Sequence, residues 1–116
     1  MKKKLIIFGD GASAEVISKI VEEYKLFSIE CFTIDKKYLK RKKVFSYNVL
    51  EYEKIKKIKN KKDYFVFVSV GYSNLNKNRE KILERIQSDG FNLTSIIHPK
   101  ANICKSVKIG KNNFIM

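Results

Sequence analysis

The 116-residue sequence has no tryptophan, one proline, one histidine and two cysteines. No apolar run approaches the roughly 18 residues that span a bilayer, and the apolar stretch after the basic start, residues 5–8, is too short for a signal peptide. Cys31 and Cys104 form neither a CxxC pair nor a zinc-ligand spacing. These absences predict a cytoplasmic protein with no metal site and no contact with a membrane.

Acidic residues are also scarce, because 12 Asp and Glu stand against 25 Lys and Arg. Residues 36–62 alone hold 11 Lys, one Arg and two Glu, so most of the net charge of +13 lies there. Such a block is typical of a surface that binds along the phosphate backbone of a nucleic acid. A basic nucleic-acid-binding module is therefore one alternative function. No stacking aromatics or recognition helix accompany the lysines. This favours a solvated surface, with no nucleic acid as partner, whose positive field attracts small anions.

The first part of the chain predicts alternating strands and helices. Residues 5–8 are a continuous apolar run that ends at a glycine, as expected of a strand buried on both faces. Apolar residues at helical spacing follow, with Ser13 as the predicted N-cap, and residues 29–35 predict a second strand. The order strand, glycine turn, helix, strand predicts a right-handed βαβ unit with parallel strands.

The pattern continues in the second half. The further predicted elements are a solvated loop (residues 36–43), a weak helix (49–59), a buried strand (64–70), a helix ended by Gly90 (74–88) and a fourth strand (91–97). We therefore predict an α/β domain over residues 1–97. Its core is a Rossmann-like open parallel sheet of about four strands, in the order 2-1-3-4, with flanking helices.

The tail has a different periodicity. Isoleucine recurs every six residues, at positions 97, 103, 109 and 115. A period of six fits neither a helix nor a simple hairpin, but it matches the hexapeptide turns of a β-helix. Residues 98–116 are therefore predicted to be the first turns of such a repeat. Because about three hexapeptides make one coil and a lone coil cannot bury its interior, we expect the natural protein to continue.

The first candidate site is the GxGxxA motif GDGASA, which follows a strand and opens a helix. Gly9 permits a tight turn, and Gly11 lets the backbone come close to a ligand. The free amides at the start of a helix favour a phosphate. We therefore predict a nucleotide phosphate site at Gly9, Gly11, Ala12 and Ser13. The same motif also leaves open an NAD-dependent oxidoreductase fragment as a second alternative.

Two further segments complete the predicted site. Asp35, at the end of the second strand, is placed to accept hydrogen bonds from a ribose or base, and a turn or helix-capping role is equally open. A second glycine loop, formed by Gly71, Tyr72, Ser73 and Asn74, links a buried strand to a helix. If the first and third strands are neighbours, this loop meets the first one at a nucleotide-binding crevice.

No reaction centre is predicted within the chain. His98 is the only histidine, it precedes Pro99, and no carboxylate lies near it in sequence, which indicates a linker residue. The sequence contains no Ser/His/Asp set, no metal-ligand cluster and no P-loop lysine. We therefore assign no catalytic, metal or cofactor-binding residue.

Three stretches resemble bacterial sugar O- and N-acyltransferases with a left-handed β-helix, such as sialic-acid O-acetyltransferases and acetyltransferases of UDP-linked amino sugars. They are LIIFGDGASAEVI, VSVGYSNLNKNREKILERIQSDGFNLTSIIHPKA and the six-residue tail. The resemblance implies that the front domain holds the nucleotide of a nucleotide-linked sugar. It also implies that the β-helix binds acyl-CoA at trimer interfaces and supplies a general-base histidine from a later coil. The family's usual glycine and histidine are here Ala12 and Ser13.

By this resemblance, the chain is the nucleotide-sugar-binding N-terminal portion of an acyl-CoA-dependent sugar acyltransferase, an acetyltransferase of bacterial surface-glycan biosynthesis. It is expected to stop before the catalytic coils and to be inactive alone. The implied partners are a UDP-linked sugar and, for the parent enzyme, acetyl-CoA or another acyl-CoA as co-substrate. The parent is expected to be a homotrimer. The sugar, the acyl group and the choice between amide and ester stay open.

Overall fold

A computed structural model of the protein describes residues 3–69, 75–97, 99, 112, 114 and 115. The strands are β1 (Lys4–Phe8), β2 (Ser28–Ile34), β3 (Lys43–Val44), β4 (Tyr47–Glu51), β5 (Tyr64–Val68), β6 (Asn92–Leu93), β7 (Ile96–Ile97) and β8 (Phe114–Ile115). The α-helices are α1 (Ala12–Glu23), α2 (Tyr52–Ile55) and α3 (Leu75–Ser88), and single 3₁₀ turns lie at Lys36–Tyr38 and Lys61–Asp63. No helix in these ranges has the length and apolar character needed to cross a membrane.

Six strands form the main sheet, in the order β3-β4-β2-β1-β5-β6. All neighbours are parallel except β3 and β4, which form an antiparallel hairpin beyond β2. The predicted α/β class with flanking helices is confirmed. The four predicted strands are the adjacent, parallel strands β2, β1, β5 and β6. The prediction of a purely parallel sheet of about four strands is wrong in its extent, because β3 and β4 add two more strands and make the sheet mixed.

Both faces of the sheet carry a hydrophobic cluster, which accounts for the unbroken apolar run in β1. Leu5 and Ile7 pack with the inner residues of α1 on one face, whereas Ile6 and Phe8 pack with α2 and α3 on the other. All four side chains are at most 2% exposed. Successive strand residues point to opposite faces of the sheet. A strand that is covered on both faces is therefore apolar at every covered position.

The missed hairpin results from a turn that the sequence does not signal. Phe45 and Ser46 connect β3 to β4, and both have positive φ, at 51° and 73°. Two such residues form the type I′ turn that matches the strand twist, which usually contains Asn-Gly. Here the Phe45 ring packs edge-on against Phe32 at 5.6 Å between centroids. This packing, together with the burial of Val44, offsets the unfavourable backbone geometry.

The predicted weak helix over residues 49–59 is largely wrong. Its first residues belong to β4, in which Val49 pairs with Phe32 of β2, and only the single turn of α2 follows. Lateral pairing with β2 outweighs the weak helical propensity of this segment. The predicted loop over residues 36–43 is partly wrong as well, because it contains a 3₁₀ turn and the start of β3.

The predicted fourth strand is divided between two sheets. Residues 92–93 form β6 on the main sheet, and residues 96–97 leave it as β7. β7 pairs in parallel with β8, with Ile96 opposite Phe114 and Ile97 opposite Ile115. Paired residues are therefore eighteen positions apart, which is three times the six-residue period of the tail. His98 and residues 100–111 lie outside the described residues.

Candidate functional site

The turn between β1 and α1 is built around a glycine that no other residue can replace without strain. Gly9 has a φ of 118°, and a Cβ added there would lie 2.0 Å from the carbonyl oxygen of Ser69. Its amide donates a 2.9 Å hydrogen bond to the carbonyl oxygen of Thr33. The turn is thus pressed between the ends of β2 and β5, where only glycine fits.

Gly11 has no such structural role. Its φ is −89°, it is exposed, and no atom of the described residues lies within 4 Å of an added Cβ. It is the N-cap of α1, so the prediction that Ser13 caps the helix is wrong. Glycine has no side chain that could cap this end, and the first intrahelical bond runs from the Glu15 amide to the Gly11 carbonyl at 3.1 Å. The mouth of α1, defined here as residues 11–14, therefore presents amides that the helix does not use.

Ser13 ties this mouth to the third parallel strand. Its hydroxyl lies 2.8 Å from the hydroxyl of Ser69, just past β5. The Ser69 amide in turn donates to the Phe8 carbonyl at 2.7 Å, and Ser69 is only 7% exposed. Ser69 is a site residue that the sequence analysis missed, because nothing in the local pattern reveals its partner across the sheet.

A basic residue from the lysine-rich segment meets the same turn. The Arg41 guanidinium donates to the Asp10 carbonyl at 2.8 Å and lies 3.6 Å from its carboxylate. The Asp10 side chain is 19% exposed and that of Arg41 is 55% exposed. Arg41 therefore neutralises the one acid within the glycine turn and keeps the region around the mouth from repelling an anion. Arg41 was missed as well; it is the only arginine in the lysine block.

Asp35, the predicted ribose or base ligand, forms an ion pair at the end of β2. The Arg85 guanidinium of α3 lies 3.0 Å from one carboxylate oxygen, and the Asp35 side chain stays 30% exposed. Arg85 is held over the rings of Tyr52 and Phe8, at 4.8 Å and 5.6 Å from their centroids. Asp35 is also the N-cap residue of the 3₁₀ turn that follows, where its backbone carbonyl accepts from the Tyr38 amide at 2.9 Å, but its side chain forms no capping hydrogen bond. Its carboxylate is thus paired with Arg85, which the sequence did not indicate.

These groups converge at one edge of the sheet. β1 lies between β2 and β5, as the site prediction required, and the carboxyl ends of parallel strands share an edge. Gly9, Asp35 and Ser69 follow those three strands directly. Gly71, Tyr72, Ser73 and Asn74 lie outside the described residues, so their part in the site stays a prediction.

Cys31 is the buried thiol of β2, and we expect it to be unreactive in the native protein. Burial, with a smaller contribution from Glu30, raises its pKa to about 12, and reactivity requires the thiolate. In a Cys104→Ser variant, which leaves this single thiol, native protein at pH 8 should not react with an aromatic disulfide reagent until urea unfolds it. Rapid labelling before unfolding would contradict the assigned burial.

The sheet and the residues at the carboxyl ends of its strands define a class of protein. It is an open α/β domain in which a central strand is followed by a glycine turn and then by a helix with no side-chain cap. Residues 4–86 match the family model of the PglD N-terminal domain. The chain belongs to this family, which confirms the resemblance to the N-terminal domains of sugar acyltransferases. No curated protein matches the chain in sequence.

Solved acetyltransferase structures share the fold. The acetyltransferase domain of PglB from Neisseria gonorrhoeae FA1090, in complex with acetyl coenzyme A, is 20% identical with a TM-score of 0.77, over 98% of this chain and 53% of that one. A mutant perosamine N-acetyltransferase from Caulobacter crescentus, in complex with CoA and GDP-perosamine, is 19% identical with a TM-score of 0.74, over 97% and 51%. The chain thus spans about half the length of these structures.

Proposed function

We propose that the chain is the nucleotide-sugar-binding N-terminal portion of an acyl-CoA-dependent sugar acyltransferase of bacterial surface-glycan biosynthesis. Residues 1–97 form the binding domain, and residues 98–116 begin a left-handed β-helix. The observation that carries the proposal is the uncapped mouth of α1, which is open at Gly11 and held against β5 through Gly9 and Ser69.

The mouth suits the diphosphate of a nucleotide-linked sugar. Its unused amides at Gly11, Ala12 and Ser13 donate hydrogen bonds, and the dipole of α1 favours negative charge at this end. Arg41 offsets the charge of Asp10, so two phosphates meet no unbalanced acid in the turn. The base or ribose then lies toward Asp35, and Gly71, Tyr72, Ser73 and Asn74 stay predicted ligand contacts.

We assign the acyl-transfer step of the parent enzyme to a region outside residues 1–116. The eighteen-residue offset between β7 and β8 is the offset that one coil of three hexapeptides produces. The Caulobacter structure holds CoA and GDP-perosamine, which supports an acyl-CoA co-substrate and a nucleotide-sugar acceptor. In such a transfer the acyl group moves from the thioester sulfur to a sugar nitrogen or oxygen, while a general base takes the proton. Assembly of the whole protein as a trimer is part of this proposal.

Nucleotide titration of the isolated chain tests the proposal. We expect UDP or GDP to shift the amide resonances of residues 9–13 at millimolar concentrations, whereas uridine, which lacks phosphate, should shift them much less. A response to NADH but to neither diphosphate would support the oxidoreductase alternative instead. Tight binding of generic RNA that collapses with salt would support the nucleic-acid alternative. Absence of any nucleotide response would contradict the proposed site.

A further inference from the structure

Asn112, from the predicted repeat segment, is buried against the front domain. It is 0% exposed, and its carboxamide binds both backbone groups of Val68. The side-chain oxygen accepts from the Val68 amide at 2.6 Å, and the side-chain nitrogen donates to the Val68 carbonyl at 3.1 Å. Its backbone has a φ of 60°, a left-handed conformation in which asparagine is enriched.

The carboxamide takes the place of a missing strand residue. β6 pairs with β5 only as far as Val66, whose carbonyl accepts the Thr94 amide at 3.1 Å. Two residues further on, Val68 presents its amide and carbonyl to the same side, where β6 has already ended. An amide side chain offers one donor and one acceptor in the spacing of a peptide group, so Asn112 satisfies both groups, as β6 would have done.

The same contact reaches the mouth of α1. Val68 is followed by Ser69, whose hydroxyl meets Ser13 and whose carbonyl lies over Gly9. On the other side, the Arg79 guanidinium of α3 donates to the Asn112 backbone carbonyl. Hydrogen bonds on either side of the Val68–Ser69 peptide bond therefore connect Asn112, which precedes β8, to Ser13 in the mouth of α1.

We propose that Asn112 is a positioning residue that fixes the nucleotide-binding mouth relative to the C-terminal repeat segment. This inference rests on the proposed function, because the ligand it positions is the nucleotide sugar. In the whole protein, the register of the first coil against β5 would then set where the sugar acceptor group is presented. Asn112 itself touches neither phosphate nor base; it acts through Val68 and Ser69.

The test uses Asn112→Asp in the full 116-residue chain. The change keeps size and tolerance of left-handed φ, and it keeps the acceptor for the Val68 amide. It removes the donor and places an oxygen against the Val68 carbonyl. We expect faster amide exchange at Val68 and Ser69, shifted resonances at Gly11 and Ser13, and UDP or GDP affinity lowered about 5-fold to 10-fold, as for one buried hydrogen bond.

Three further variants separate positioning from general destabilisation. Asn92→Asp makes the same substitution at an exposed position of β6 and should leave nucleotide affinity unchanged. Ile86→Val loosens the buried core under α3 and provides a control for global stability. If Asn112→Asp does not fold, Asn112→Gly removes both hydrogen bonds without adding charge and keeps the same backbone geometry.

The outcomes are distinct. If the Asn112 variants behave like Ile86→Val, with lower stability but unchanged nucleotide affinity and unchanged resonances at Gly11 and Ser13, Asn112 is only structural and the inference is overturned. If the wild-type chain binds no nucleotide, the proposed function fails, yet the exchange at Ser69 and the resonances at Ser13 still decide whether Asn112 positions the mouth.

Discussion

Replacing Gly9 with alanine is expected to lower the free energy of unfolding by about 3 kcal/mol or more. Two effects combine at this position. The φ of 118° strains any L-residue, and the new Cβ would lie 2.0 Å from the Ser69 carbonyl oxygen. Because that oxygen is backbone, relief requires the end of β5 or the whole turn to move. Urea unfolding followed by circular dichroism measures the loss.

Gly90→Ala is the matched control. Gly90 also has positive φ, at 97°, but the nearest atom to an added Cβ is the side-chain Cδ of Lys61 at 3.5 Å. We expect a loss of about 1 kcal/mol from backbone strain alone. The difference between the two variants isolates the contact with Ser69. Equal losses would show that the turn is not pressed against β5, and the geometry assigned to the mouth would be wrong.

The consequence of this contact is that stability and site geometry cannot be separated at Gly9. Small domains are stable by only about 5–15 kcal/mol, so the expected loss of about 3 kcal/mol on replacing Gly9 is a large share of the total. That approach also brings the Ser69 hydroxyl to Ser13. Gly9 is therefore needed both for the stability of the domain and for the position of the mouth of α1 beside β5.

Segments with strong hydrophobic patterns were predictable from the sequence. β1 and β5 are apolar at nearly every position because helices cover both faces of the sheet. α3 begins one residue after its predicted start and ends at the predicted residue, where Gly90 follows with positive φ. In these elements the local hydrophobic pattern and the tertiary packing favour the same secondary structure.

The other features depend on partners far away in sequence. The β3-β4 hairpin turns at Phe45 and Ser46, which lack the usual turn chemistry and depend on the ring of Phe32. Within the site, Arg41 and Arg85 face acids 31 and 50 positions away. No periodicity or spacing reveals such pairs, so the glycine turn was predictable but the charges around it were not.

Gly11→Val is expected to weaken binding of UDP or GDP about tenfold or more, which corresponds to about 1.4 kcal/mol or more, while the domain stays folded. Within the part of the chain that the structure describes, an added Cβ at Gly11 meets no atom within 4 Å, and φ is already −89°, so valine fits there without strain. The folded state should lose only about 1 kcal/mol for a poorer N-cap. The branched side chain instead fills space at the mouth, through which a phosphate must approach the amides of Ala12 and Ser13. Calorimetric or NMR titration measures the affinity.

Glu23→Val serves as the control, because it places the same side chain at an exposed position on the last residue of α1. It changes helix propensity without obstructing the mouth, and loss of an acid does not weaken binding of an anion, so its nucleotide affinity should match that of the wild type. If Gly11→Val binds UDP and GDP as well as the wild type does, the ligand does not approach the mouth, and glycine at position 11 has no part in binding. If both variants bind equally poorly, the effect belongs to α1 as a whole. The fold requires glycine at position 9 but not at position 11. A substitution at position 11 therefore tests nucleotide binding without a large loss of stability.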